Sequence, residues 1–190
     1  MGRSFVRIEY QRSYQPLMLL WKGIGRYVAE RPRYRHLFGP VSISGQYRSV
    51  STRLIMEFLR QNGHWSDLAK RVHPRRPPRR PRWRERAEME AFGRTIRSVD
   101  HLGSLVAELE SDGKGVPVLL RQYLKLGAEI LGFNVDPDFS DALDGLVLVD
   151  LTTTDPRILR KYMGADGLAR FLGFHGLGAD GRAGGLTQVA

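Results

Sequence analysis

The chain contains no cysteine, which removes disulfides, thiol nucleophiles and thiolate metal sites in one step. No stretch approaches the roughly 20 consecutive apolar residues a membrane span needs. The N-terminus turns polar at once, without the apolar segment of a secretory signal. The histidines, at positions 36, 64, 73, 101 and 175, fall at no metal-ligand spacing. Asp136, Asp138, Asp141 and Asp144 are irregularly spaced and lack the glycine of an EF-hand loop, so no metal site is expected. "GLGADGRAGG" near the C-terminus is rich in glycine but precedes no helix, which excludes a nucleotide loop. These absences point to a cytoplasmic chain of 190 residues, long enough for one domain with a real core.

Negative charge is scarce: 30 Lys and Arg stand against 20 Asp and Glu, a net charge of +10. The excess is local. Residues 71–86, "RVHPRRPPRRPRWRER", hold eight arginines, one glutamate and four of the ten prolines. Proline interrupts helices and ladders, and like charges repel. This segment is expected to be an exposed, extended insertion.

The opening "VRIEYQR" alternates, with Val6, Ile8 and Tyr10 on one side and Arg7, Glu9 and Gln11 on the other, so a strand is expected over 4–10. A polar bend at 11–15 leads into a helix over 16–30, ended by Pro32. "HLFGPVSIS" (36–44) reads as a second strand. "SVSTRLIMEFLRQNG" reads as a helix capped by Ser49 or Ser51 and closed by Gly63. Helices are also expected at 98–111 and from Pro117 to about Gly132. Strands are expected near 132–139 and 145–153. Asp155 and Pro156 open another helix that Gly164 ends, and a short helix at 165–174 precedes a flexible tail, 176–190. The fold class is α/β or α+β, with about four strands in one mixed sheet flanked by helices.

Four blocks carry a resemblance: "GRSFVRIEYQR" with "LLWKGIGRYV", "YRHLFGPVSIS", and "GKGVPVLLRQYLKLGAEILGFNVDPDFSDALDGLVLVDL". Their order and spacing resemble the GNAT acyltransferases. In particular they resemble the hemolysin-like branch whose members use acyl carrier protein to N-acylate ornithine and related aminolipid precursors. The resemblance runs from residue 2 to about 172, interrupted by the arginine–proline segment. It implies that 4–10 corresponds to the fourth strand of that fold, the one bearing the acyl-donor site. On that basis residues 1–175 are expected to be the C-terminal part of a GNAT-like domain, and the chain to be truncated.

A strand running into a helix N-terminus offers unpaired amides and the positive dipole end to a phosphate. In GNAT proteins this bend reads Gln/Arg-x-x-Gly-x-Gly/Ala. Here the matching residues are Gln11, Arg12, Ser13, Tyr14, Gln15 and Pro16. Tyr14 and Pro16 replace the glycines, so close backbone approach is harder and one amide is missing. The resemblance therefore implies a smaller ligand than coenzyme A. The expected donor is the acyl-phosphopantetheine of acyl carrier protein, with no permanently bound cofactor, and the acceptor an amino acid or aminolipid precursor.

N-acylation needs a neutral amine, an oriented thioester and stabilisation of the oxyanion. Glu9 is a candidate base, or a surface glutamate. Arg7 is a candidate for meeting an acceptor carboxylate, or for an ion pair. Tyr47 is a candidate proton donor to the leaving thiolate, or a packing residue. Two readings follow: an acyltransferase, or a binding module whose basic loop contacts anionic lipid or nucleic acid through phosphate neutralisation. Only Trp83 interleaves with the arginines and no DNA-binding helix pair is evident, so nucleic acid is the weaker partner. Peripheral contact with the inner face of a membrane, or docking to an acidic carrier protein, fits the basic segment better.

Overall fold

A computed structural model describes residues 7–10, 13, 15–79, 82–178 and 180–181. Two compact units emerge, one from residues 1–37 with 149–190, the other from 38–148.

In the first unit, helix α1 (Gln15–Glu30) packs on helix α6 (Pro156–Phe174). The face of α1 repeats at helical spacing, and Trp21, Gly25, Val28 and Ala29 are buried. Leu168, Phe171 and Leu172 are buried on α6. Gly25 lets the two backbones meet: a Cβ there would lie 2.7 Å from the Tyr162 carbonyl carbon and oxygen. The Trp21 and Tyr162 rings lie 5.8 Å apart beside this crossing. As expected, Asp155 caps α6, its carboxylate accepting from the Arg157 amide at 2.8 Å, and Pro156 takes the first position. Gly164 breaks the helix with φ 76° and ψ 174°, so α6 is two helical segments joined at a kink.

The second unit holds most of the sheet, in the order β1 (His36–Ile43), β3 (Ala142–Asp150), β2 (Glu129–Asp136). Strands β2 and β3 run antiparallel. β1 is antiparallel to β3 as well, since Arg35 pairs with Leu151 at one end and Ser42 with Asp144 at the other. β3 alternates strictly between buried and half-buried positions after its first residue, as a central strand does. Helix α2 (Ser49–Gln61) buries Leu54, Ile55, Met56, Phe58 and Leu59, the largest apolar face of any helix in this unit. Helices α3 (Trp83–Gly93), α4 (Val99–Leu109) and α5 (Val118–Lys125) complete it.

Several expectations change. The alternation over 4–10 does not give a strand at its described end. Ile8–Tyr10 form a 3-10 turn, with the Tyr10 amide bonded to the Arg7 carbonyl at 2.9 Å, and residues 4–6 lie outside the described residues. Ile8 is 82 % exposed, so the alternating pattern has no buried face to fill. The described residues therefore give three strands rather than four. The helix expected to reach Gly132 stops at Lys125, because Gly127, at φ 80°, turns the chain. Leu131 is then an extra residue in β2 where the register shifts, leaving Ile130 and Leu131 both buried. Two adjacent inward residues imitate a helical face. Neither Ser49 nor Ser51 caps α2: Arg48 holds that position without a side-chain bond, and Ser51 is buried within the first turn.

The arginine–proline segment forms neither helix nor strand over 72–79 and bends at 75–76, and it is not free of the fold. Residues 67–71 form a 3-10 turn, and 83–86 already belong to α3. The chain from His64 to Arg76 follows the outer edge of β2. The Ile130 amide donates to the His64 carbonyl at 2.7 Å and the Ser66 amide to the Ile130 carbonyl at 3.0 Å. Further on, the Val135 amide donates to the Arg76 carbonyl at 2.8 Å, and the Arg76 amide to Asn134 Oδ1 at 2.7 Å.

Two glycines on α1 separate packing from propensity. A methyl group placed on Gly23 would have nothing within 4 Å, whereas one on Gly25 would meet backbone. Gly25→Ala should cost about 1–3 kcal/mol through overpacking, while Gly23→Ala should gain up to about 1 kcal/mol from helix propensity. Thermal melts of the two variants should shift in opposite directions.

Candidate functional site

The second unit contains a polar cavity of about 390 Å³, built at the start of α2. The loop from β1 supplies Ser44, Gly45 and Tyr47, and α2 supplies Ser49, Thr52 and Arg53. These α2 positions lie three and four residues apart and so share one stripe of the helix. Pro78 and Arg79 come from the arginine–proline segment, and Asp141 from the turn before β3. Two arginines, several hydroxyl-bearing residues and one aspartate share this wall with the apolar Met56, Val135 and Leu143. Such a lining accepts an anion, with the guanidiniums suited to phosphate or carboxylate oxygens.

The wall is held by tight backbone contacts. Ser140 and Asp141 both have positive φ, 53° and 54°, a conformation uncommon outside glycine. Gly45 abuts this turn so closely that any Cβ would overlap the Ser140 carbonyl oxygen. Only glycine fits there without moving the turn.

Tyr47 spans the loop between strand and helix. Its half-buried hydroxyl donates to the Gly115 carbonyl at 2.7 Å, and the Lys114 ammonium lies 4.6 Å from its ring centre. Burial, then the charges of Glu110 and Asp112, push the phenol above its ordinary pKa. It remains protonated at neutral pH, with its hydrogen directed to Gly115 in this arrangement.

Glu110 sits behind this strap. Its carboxylate accepts from the Arg48 amide at 2.9 Å and lies 3.7 Å from Lys114 Nζ. The adjacent Ser51 hydroxyl, then the Arg48 amide and Lys114, outweigh burial and hold the carboxyl below its usual range. Arg48 also donates to the Leu109 carbonyl at 3.0 Å. The start of α2 is thereby tied to the end of α4.

The other residues given catalytic or donor-binding roles from sequence belong to the segment 7–15. Arg7 and Glu9 are exposed and form an ion pair with each other. Gln11, Arg12 and Tyr14 lie outside the described residues. Ser13 and Gln15 stand at the start of α1, where the Ser13 hydroxyl accepts from the Gln15 amide at 3.3 Å. Of all these candidates, Tyr47 lines the polar cavity. Arg53, Arg79, Glu110 and Lys114 were not distinguishable as site residues from sequence. The polar spacing Ser49–Thr52–Arg53 at the start of a helix with one apolar face was the available signal. Arg79 is one arginine among eight in its segment and carried none.

Among the described residues no group of acidic and histidine side chains is placed to hold a metal ion, and no helix is long and apolar enough to cross a membrane.

No family model and no solved structure matches the chain. Among curated proteins it is similar to the glycine N(alpha)-acyltransferase of Phocaeicola vulgatus, at 24 % identity over 164 residues. The alignment covers 78 % of this chain and 47 % of that protein, so the chain spans about half the length of the relative it matches. The similarity supports a relationship to N-acyltransferases.

The Glu110 cluster makes stability depend on acid. The folded pKa lies below the unfolded one, so the contribution is complete above about pH 4.3, the ordinary glutamate value. It is lost as pH falls through the depressed folded value. Glu110→Gln should therefore melt below the native protein near neutral pH, and the gap should narrow below about pH 4. Melting temperatures of both proteins across this range provide the check.

Proposed function

We propose that the chain works as part of an N-acyltransferase, moving a fatty acyl group from a thioester donor to the amine of an amino acid or aminolipid precursor. The observation that carries this reading is the similarity to a glycine N(alpha)-acyltransferase across 164 residues. The cation-lined cavity at the start of α2 is compatible with it. In the reaction the neutral amine attacks the thioester carbonyl, a C–N bond forms and the C–S bond breaks. The amine proton passes to a base, and the leaving thiolate takes up a proton. Asp141 is the carboxylate on the cavity wall and is assigned here as the proton acceptor. Arg79, exposed at the cavity rim, is assigned to the donor's phosphate, with the pantetheine arm crossing the cavity toward Arg53.

The donor in this reading is acyl carrier protein, whose phosphopantetheine arm presents a single phosphate. The basic segment supports that choice. Arg75, Arg76 and Arg79 are exposed, and Arg79 also reaches the cavity, so an acidic carrier would dock where its arm enters. Ornithine-type acceptors come from the sequence resemblance and glycine from the curated relative.

The protein should be incubated with acyl carrier protein thioesters or acyl-coenzyme A, and with glycine or ornithine, and the products read by mass spectrometry. An N-acyl amino acid formed faster from the carrier thioester is expected. Arg79→Gln should lower kcat/KM for the carrier about tenfold at low salt. That deficit should shrink as ionic strength rises from about 0.05 M to about 0.5 M. Absence of product from either donor with any amino acid overturns the reading. Equal rates from both donors overturn the carrier-protein assignment.

A further inference from the structure

Helix α2 borders a second cavity. A groove of about 420 Å³ lies among α2, α3 and α4, walled by Val50, Leu54, Met89, Phe92, Leu105 and Leu109. Its wall is mostly apolar, and the protein does not close it: Phe92 is 46 % exposed and Leu105 half-buried. The volume lies within the range of small-molecule sites. One residue lines both this groove and the polar cavity, and it is Arg53.

The helix explains this position. Ser49, Thr52, Arg53 and Met56 line the polar cavity, while Val50, Arg53 and Leu54 line the groove. Arg53 therefore stands on the border between two neighbouring stripes. An arginine suits such a border, since its stem packs with apolar groups while its guanidinium binds anions.

We infer that the two cavities are the two ends of one binding site for a single-chain amphipathic anion. The acyl chain lies in the groove, and the anionic head lies on the polar side of Arg53. Charge fixes this orientation. Arg53 and Arg79 outweigh Asp141 in the polar cavity, whereas Glu88 and Glu108 outweigh Arg53 on the groove wall, so an anion is favoured on the polar side. The inference deepens the acyl-transfer reading and rests on it for the biological origin of the ligand alone. A phosphate-bearing acyl donor and a fatty carboxylate share the required chemistry.

Titration calorimetry of the whole chain, with monomeric alkyl phosphates from hexyl to dodecyl, tests the site without turnover. Affinity should rise by up to about fourfold per added CH₂ and level off once the groove is full. Inorganic phosphate should bind more than about a hundredfold more weakly than dodecyl phosphate. Leu105→Trp, which fills the groove, should flatten the chain-length dependence. Phe92→Ser, at an exposed position, should reduce it without threatening the fold. Arg53→Gln should weaken every alkyl phosphate by about tenfold and leave the slope intact. Dodecyl phosphate binding more tightly than dodecanoate assigns a phosphate-bearing donor, and the reverse assigns a fatty carboxylate. Affinity independent of chain length, or a slope untouched by both groove variants, overturns the inference. So does unchanged head-group affinity in Arg53→Gln. Chain-length-dependent binding with no acyl product upholds the site and overturns the enzymatic reading, and product without such binding does the reverse.

Discussion

A buried carboxylate at the end of α4 holds the beginning of α2. Helix α2 starts without a hydroxyl cap, and the amide just before it, that of Arg48, donates to Glu110 instead. Burying a carboxylate is costly unless its oxygens are satisfied. Here the Arg48 amide and Lys114 provide that compensation. The contact joins residues that are 62 positions apart, and it anchors the point where α2 begins. With Leu54, Ile55, Phe58 and Leu59 turned into the core, Ser49, Thr52 and Arg53 lie toward the cavity. Tyr47 ties the preceding loop to Gly115, only five residues beyond Glu110, so both sides of the helix start are fastened to the same short turn.

The same constraint explains what composition and pattern could convey. Features decided within a few residues were legible. Asp155 and Pro156 open α6, and Gly164 breaks it. Each follows from hydrogen-bonding groups or backbone freedom carried by adjacent residues. Features decided by distant partners were not. The start of α2 offers two serines that read as caps, yet the bond comes from Glu110 on another helix. The α5–β2 boundary was misplaced because the Leu131 bulge turns two consecutive residues inward. A helix and a bulged strand then share a pattern, and Gly127 with its positive φ decides between them.

The candidate site divides along the same line. Tyr47 was visible because it follows a strand at the start of a helix, where reactive groups gather. Its interactions are those of a strap, with the phenol bonded to a backbone carbonyl and covered by Lys114. Arg79 and Asp141 come from widely separated segments of the chain and meet in the cavity. No local spacing records that meeting. Asp141 reaches the wall through a left-handed pair, Ser140–Asp141, that Gly45 must accommodate.

The arginine–proline segment shows one composition meeting two physical demands. The edge of a sheet exposes unpaired amides and carbonyls that would template pairing with another chain. Here the outer edge of β2 is occupied by His64, Ser66 and Arg76. Prolines at 74, 77 and 78 carry no N–H, so the covering segment cannot in turn present a regular ladder of donors. Mutual repulsion of its arginines opposes collapse into a core, and backbone bonds hold the segment along the edge. The guanidiniums that cannot pack inward remain in solvent, and one of them, Arg79, is delivered to the rim of an anion-accepting cavity. Edge protection and a cationic approach to the cavity thus arise from the same residues. A neutral segment could cover the strand, but it would bring no charge to the cavity beside it.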